Sequence, residues 1–476
     1  MQEVKLNNDF SIAQPHPQKL NGWQKTGLFL SFSALTVFFL NFFNIPVSQE
    51  NTMQLAVFIG GIFFGVLLYT YGTYAGKPAG IKNNGVWFNS LTSRGVLGWI
   101  TGAVLTTFYV LLYWFPEMLG LSQGENTTNT GVIALFDPLS KALNGNPATQ
   151  WFMYGTIYTL LVLAFGIKFI VKYRHNRYQT IRTIVVILSQ LVFAYFIPEI
   201  LEGLNDSDAY FAKDLKYFWP LNYYFFEDWH LNNMLNSGTL GMFYLVWGIF
   251  MFAVFTPIIT YFVGKRWYCS WVCGCGGLAE TAGDSFRHLS SKTLKSWKIE
   301  RWMIYSILLY ITIETTAVLY GYFMHTNTFL GLDIYTWFKR PYGFLIGAMF
   351  SGVIGVGFYP LLGNRVWCRF GCPLAGYMGI IQRFKSRFRI TTNGGQCISC
   401  GNCSTYCEQG IDVRSYAQKG QNIVRASCVG CGICTAVCPR GVLKLENGPE
   451  ENRIKPDTPF TFGNESIKIN HNSFDV

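Results

Sequence analysis

The chain predicts a mainly α-helical, polytopic membrane protein with a small α+β, ferredoxin-like domain near its C-terminus. Three observations predict it. Half of the 476 residues are hydrophobic and only 13% are charged, well under the charged share of a soluble domain. Apolar stretches long enough to cross a bilayer recur about eight times. All thirteen cysteines lie between residues 269 and 438, and the last eight repeat one spacing.

Residues 1–24 are polar ahead of the first apolar run, which predicts a cytoplasmic N-terminal segment without a cleavable signal peptide. Spans are expected near 25–45, 54–75, 96–118, 151–172, 182–203, 239–263, 302–325 and 342–363. The first five make an N-terminal membrane region over 25–238. The connections 76–95 (Lys77, Lys82, Arg94), 172–182 (Lys172, Arg174, Arg177, Arg182) and 264–301 (Lys265, Arg266, Arg287, Lys292) are basic. So is the stretch after the last span, with Arg365, Arg369, Arg383, Lys385, Arg387 and Arg389. The alternate connection 204–238 is acidic. By the positive-inside rule both termini face the cytoplasm of a bacterial-type inner membrane. The net charge of +11 thus reports topology, and no nucleic-acid partner is expected.

The outer connection 204–238 holds Tyr217, Phe218, Trp219, Tyr223, Tyr224, Phe225, Phe226 and Trp229, which predicts a segment lying in the membrane interface. A docking surface is the sharper alternative. Segments 280–300 and 376–390 read as amphipathic, their Arg and Lys among headgroups and Ile380, Ile381, Phe384 and Phe388 facing inward. TTNGG at 391–395 reads as a turn-rich linker, and the polar tail 447–476 as disordered.

The domain over 395–446 carries the chemistry. CISCGNCSTYC places Cys397, Cys400, Cys403 and Cys407 at C-x2-C-x2-C-x3-C, and CVGCGICTAVCP repeats it at Cys428, Cys431, Cys434 and Cys438. That spacing is the ligand set for two [4Fe–4S] clusters. A zinc module is the plainer alternative, but zinc sites favour paired knuckles or histidine, and no histidine lies in the segment. In such runs the fourth cysteine ligates the other cluster. Cys397, Cys400, Cys403 and Cys438 are therefore expected on one cluster, and Cys428, Cys431, Cys434 and Cys407 on the second. Pro439 follows the last cysteine; Glu408 stands in the equivalent place after Cys407. Thiols used as metal ligands must stay reduced, which again places this half in a reducing compartment.

A second cysteine set follows the membrane spans of the core region 239–390. KRWYCSWVCGCGG supplies Cys269, Cys273 and Cys275, and NRVWCRFGCPLAG supplies Cys368 and Cys372. If helical, the separation of four puts two thiols on one face. Two such pairs meeting at the inner surface make a third Fe–S cluster or another soft-metal site. A redox-active dithiol pair and ordinary buried cysteines remain alternatives, and Cys275 is either a substitute ligand or a spare.

Paired C-x3-C(P) motifs beside membrane helices, followed by a dicluster module, resemble the NosR/NapH/CcoG group of membrane-bound 4Fe–4S proteins over roughly residues 239–445. The resemblance implies membrane electron transfer with the paired motifs on the cytoplasmic face. The chain departs from the group at Gly274, where proline is expected after Cys273. It shows neither the N-terminal flavin domain of the NosR type nor the C-terminal extracytoplasmic domain of the CcoG type. Its five leading spans exceed the needs of a NapH-type protein.

No haem is expected: there is no C-x-x-C-H, and His16, His175, His230, His288, His325 and His471 all fall at or beyond the span ends. Glu314, midway along the seventh span, reads as a proton or quinone contact or as a structural hydrogen-bonding link, with Gln190 as a candidate partner. Gly343, Gly347, Gly352, Gly355 and Gly357 mark close packing of the eighth span. Together these readings describe an iron–sulfur electron relay between a cytoplasmic donor or respiratory partner protein and the quinone pool. The competing class is an assembly factor handling metal or disulfide redox for a respiratory metalloenzyme, as a CcoG-like resemblance implies.

Overall fold

The computed structural model describes residues 20–45, 47–48, 50–76, 95–122, 128–204, 215–216, 218–384, 386–393 and 396–448. It also describes two short strands, Phe460–Phe462 and Ile467–Ile469. Among these residues seven helices are long and apolar enough to cross a membrane: α1 (Gly22–Phe42), α2 (Asn51–Tyr74), α3 (Val96–Trp114), α4 (Gln150–Lys172), α5 (Arg177–Gly203), α6 (Gly238–Phe262) and α7 (Leu294–Met324). The protein is a mainly α, polytopic membrane protein. Lys77, Lys82 and Arg94, His16 and His471, and most of the tail lie outside the described residues.

Local chemistry starts these helices where their first amides need acceptors. Asn21 and Gln24 form a reciprocal capping box at α1. Thr149, Asn176 and Thr293 accept from the backbone of Phe152, Gln179 and Ser296 at α4, α5 and α7. Small residues bring α1 and α2 together: a Cβ on Gly27 would lie 2.6 Å from the Gly65 carbonyl, and one on Gly61 2.7 Å from the Ala34 methyl. Phe29, Phe32, Phe64 and Trp99 point outward, as lipid-facing side chains do.

The eighth expected span differs from the other seven. Helical backbone runs from 334 to 354, wound mostly in π-turns, and a turn leads to the short helix Tyr359–Leu362; this run is termed α8. Four π segments share a cause. Ser189–Phe196, Met251–Phe255, Tyr335–Lys339 and Trp367–Gly371 end just before Pro198, Pro257, Pro341 and Pro373. Proline has no N–H and its ring collides with the carbonyl four residues back, and a widened turn relieves both.

The connection between α5 and α6 packs on the bundle in its described part. Phe218 is 1% exposed and meets Tyr268 edge-on at 5.4 Å. Trp219 packs on Phe252 of α6 and donates to Thr315 Oγ1 of α7 at 2.8 Å. Tyr223 lies against Gly343 and Gly347, and Phe225 against Gly248. Those glycines supply the space the rings fill, and irregular backbone is tolerated there because protein surrounds it.

Further expectations bear on the cytoplasmic segments and the tail. Residues 282–289 form a 3₁₀ helix with Arg287 1% exposed, so this arginine faces protein charges rather than headgroups. In helix Pro373–Phe384, Phe384 is 73% and Ile380 40% exposed, the side an amphipathic segment would turn to lipid. Thr391 and Thr392 are not linker: strand Phe388–Thr392 pairs antiparallel with Leu443–Asn447 and closes the ferredoxin-like domain. In the tail the two short strands pair as an antiparallel hairpin, where disorder was expected.

Candidate redox centres

The paired strands bracket the two cysteine runs. In each run a left-handed glycine, Gly401 (φ +80°) or Gly432 (φ +69°), follows the second cysteine and starts a one-turn helix carrying the third. A side chain disfavours that backbone conformation. The turns gather sulfur around two small cavities. One is lined by Cys397, Cys400, Cys403 and Cys438. The other is lined by Cys407, Cys428, Cys431 and Cys434. Cys407 of the first run thus lines the cavity of the second, and Cys438 of the second run that of the first. Apolar walls from Ile398, Val442 and Leu443, or Ile390, Ile411, Ile423 and Ile433, complete them. Four soft sulfurs on an apolar wall fit an iron–sulfur cluster.

The second cavity faces the membrane core. Gln179 Nε2 of α5 donates to the Cys431 carbonyl at 2.6 Å and Tyr178 Oη to that of Gly430 at 2.9 Å. Ser270 Oγ donates to Val429 and Lys265 Nζ to Ile423, at 2.9 and 3.0 Å. Cys400, on the first cavity, is exposed.

The other cysteine set sits where the chain doubles back. Gly264 (φ +93°) and Lys265 (φ +46°) reverse it after α6, and Gly363 (φ +96°) after Tyr359–Leu362. Each reversal returns a tryptophan to the helix just left: Trp267 onto Phe255 at 5.6 Å, Trp367 onto Phe350 at 6.0 Å. Cys269, Cys273, Cys368 and Cys372 are buried together in one cluster, with Cys275 at its edge. The thiols therefore lie inside the protein rather than on its surface.

The two halves are related like a two-fold pair. Arg266 Nη1 donates to the carbonyl of Cys368, and Arg365 Nη1 to that of Cys269, both at 2.9 Å. The Cys273 amide bonds five residues back to Tyr268 at 2.8 Å, and Cys372 likewise to Trp367 at 3.0 Å. The first C-x3-C unit starts in a short α-helix, Trp267–Trp271, and the second in a π-helix, Trp367–Gly371; in both the second cysteine closes the last turn with a bond five residues back. Cys273 and Cys372 then begin the helices Gly274–Glu280 and Pro373–Phe384. Gly274, in the place of proline, has a reason: a Cβ there would lie 2.9 Å from Gln190 Oε1.

The neighbouring Cys275 thiol, with Lys216 and the Gly276 and Cys275 amides, draws the Cys273 thiol below its ordinary range against burial. Burial and the neighbouring sulfurs push Cys269 up, and burial pushes Cys368 and Cys372 up as well. Soft-metal binding suits such a set, because a cation offsets the cost of gathering thiolates.

Between the two sulfur sites lies a buried ion cluster that the sequence reading missed. Both Glu280 oxygens accept from Arg182, which is 0% exposed. Glu408 pairs with Arg365 at 2.9 Å and with Arg287 at 3.3 Å. Arg287 Nε donates to Asp284 at 2.9 Å, and Lys172 of α4 also pairs with Asp284. Burial opposes ionisation of Glu408, but Arg365, Arg287 and Arg182 hold its carboxyl below the usual range. Three legible signals pointed here: the R-x-x-C-x3-C repeat, Glu408 in a proline position, and charges flanking the cysteines.

Glu314 is 1% exposed, with Oε2 accepting from Thr315 at 3.3 Å and Oε1 without a partner among the described residues. Gln190 is not its partner; it donates to Thr159 Oγ1 at 3.2 Å. His230 is buried, with Nδ1 3.0 Å from the Phe225 carbonyl.

Comparison with known proteins follows the same two sites. A 4Fe–4S dicluster domain model matches residues 368–455, and a 4Fe–4S binding domain model matches twice, over 245–293 and 344–391. The double match falls on the two halves of the core site. Fold and matched segments together describe a polytopic membrane protein that carries 4Fe–4S binding segments. A candidate electron transport protein, YccM of Escherichia coli (strain K12), is 29% identical over 162 residues. That match covers 32% of this chain and 44% of YccM, so the chain spans less than half the length of this curated relative. No solved structure matches the chain.

Proposed function

We propose that the protein relays single electrons between a redox partner met at the ferredoxin-like domain and the membrane quinone pool or a respiratory partner complex. Two [4Fe–4S] clusters would be held by Cys397, Cys400, Cys403 and Cys438, and by Cys428, Cys431, Cys434 and Cys407. They supply one-electron carriage. Cys269, Cys273, Cys368 and Cys372 would hold a further centre, with Cys275 in reserve. The observation carrying this reading is the docking of the second cavity onto the core through Gln179, Tyr178 and Ser270, beside the buried thiols. The exposed Cys400 side is then the entry face. The basic loops support a cytoplasmic position for the domain.

The residues divide the work. The αL glycines and one-turn helices orient the sulfurs, and the apolar walls keep water out. Glu314, buried beside Thr315, would hold or pass a proton at its free oxygen as quinone chemistry requires. Anaerobic purification with iron, sulfide and EPR measurement tests the reading. Expected are two reducible [4Fe–4S] signals, reduced by quinol in native membranes. Zinc without reducible iron would end it.

The gathering of Cys269, Cys273, Cys368 and Cys372 in one buried cluster with Cys275 beside it also supports a second reading, an assembly factor exchanging metal or disulfide at the core thiols. C275S separates the two: unchanged iron and lost thiol or copper exchange supports maturation, whereas unchanged behaviour throughout supports the relay.

A further inference from the structure

The ion cluster between the two sulfur sites does more than join them. Glu408 follows Cys407, a wall residue of the second cavity, and its side chain is 1% exposed. Its oxygens reach Arg365 at 2.9 Å and Arg287 at 3.3 Å. The same Arg365 donates to the Cys269 carbonyl at 2.9 Å and lies 3.8 Å from Cys368 Sγ. One carboxylate and one guanidinium therefore connect the sulfurs of the ferredoxin-like domain to those of the membrane core. Glu280, 3.5 Å from Arg365, is the neighbouring counter-charge.

Charges are a costly way to fasten two bodies together. Well-packed apolar residues dock as firmly without desolvating ions. What buried charges offer instead is reach, because their fields are weakly screened away from water. Each site here is within contact of a fixed charge whose partner touches the other site.

We propose that Glu408 and Arg365 form an electrostatic bridge that sets the reduction potentials of the second ferredoxin-type centre and the core centre together. This rests on the relay reading above. Reduction places one added negative charge among ligating sulfurs as one electron leaves the donor centre, with no bond or proton exchanged. Arg365 favours that charge at both sites and Glu408 opposes it. Neutralising Glu408 shifts both centres toward the reduced form; neutralising Arg365 shifts both the other way. Glu408 and Arg365 are positioning residues in this scheme, since neither is a ligand.

The test is a redox titration followed by EPR on full-length protein purified anaerobically, wild type beside E408Q, E408D, R365Q and R365K. At the wild-type midpoint, E408Q should move the reduced-to-oxidised ratio up about tenfold, or ~59 mV for one electron. R365Q should move it about tenfold down. E408D and R365K keep their charges and should restore the wild-type ratio to within roughly threefold. If E408Q loses iron, E280Q removes a charge facing Arg365 from a residue that is not next to a ligand in the chain, although its carboxylate lies within 4.8 Å of Cys431 Sγ, and the same upward direction is expected. Unshifted potentials in an iron-replete E408Q protein, or a shift that persists in E408D, overturn the bridge. Wild-type protein without reducible iron would instead overturn the relay reading on which it stands.

Discussion

Truncating Glu280 to alanine isolates the energetics of the buried ion cluster. The carboxylate is 2% exposed and accepts at both oxygens from Arg182, which is 0% exposed. Arg365 and Arg287 approach it at 3.5 and 3.9 Å. In E280A, Arg182 retains Gln179 Oε1 at 2.6 Å and the Ser270 carbonyl at 3.2 Å, neither of them charged. Breaking a buried pair by removing one partner costs ~3–5 kcal/mol, because the remaining charge is uncompensated. Arg287 and Arg365 keep Glu408 and Asp284, so the loss should stay within that range. The double variant R182M/E280L replaces the pair with apolar side chains of similar volume. It should lie within about 2 kcal/mol of wild type, since replacing both partners avoids the unpaired charge. Reversible unfolding of the metal-loaded protein in mixed micelles, followed by circular dichroism, measures both. An E280A protein within about 1 kcal/mol of wild type would refute the premise that the cluster is desolvated. A double variant weaker than the single one would refute the pairing argument.

Three further outcomes follow from particular contacts. Asp284 is lowered from 3.8 to about 2 by Lys172 and Arg287 against burial. Its contribution, on the order of 2 kcal/mol, is present above pH 4 and lost as pH falls toward 2; D284N should remove that acid dependence from unfolding curves. A Cβ on Gly276 would stand 2.1 Å from the Cys269 carbonyl, so G276A should disturb the core site and lower its bound metal, leaving the iron of the ferredoxin-like domain intact. C434S removes one sulfur from the second cavity; about half of the domain's iron should be lost and the first centre's EPR signal retained.

The division between sequence and structure is visible residue by residue. Period and composition were enough to find α1 to α7 and to set the cysteine runs apart, because spanning length and ligand spacing are local properties written along the chain. The prolines at 198, 257, 341 and 373 could also have announced the π-turns, since the lost amide is local. The amphipathic reading of 280–300 failed for a different reason. A helical wheel cannot tell a solvated arginine from Arg287, whose acceptors Asp284 and Glu408 include one more than a hundred residues away. The contacts of the aromatic run after α5 were likewise invisible along the chain, because Trp219 and Tyr223 are received by Thr315, Gly343 and Gly347 on distant segments.

The amino-acid order alone determined that this is a membrane protein with cysteines at 4Fe–4S ligand spacing, since hydropathy and cysteine spacing act over a few turns of chain. Tertiary structure decided that the C-x3-C segments fold back into the bundle, that Arg266 and Arg365 exchange bonds across them, and that Glu408 ties the two sulfur sites together. Those facts depend on which distant segments share a desolvated interior, and charge paired in such an interior has no signature in any single stretch of sequence.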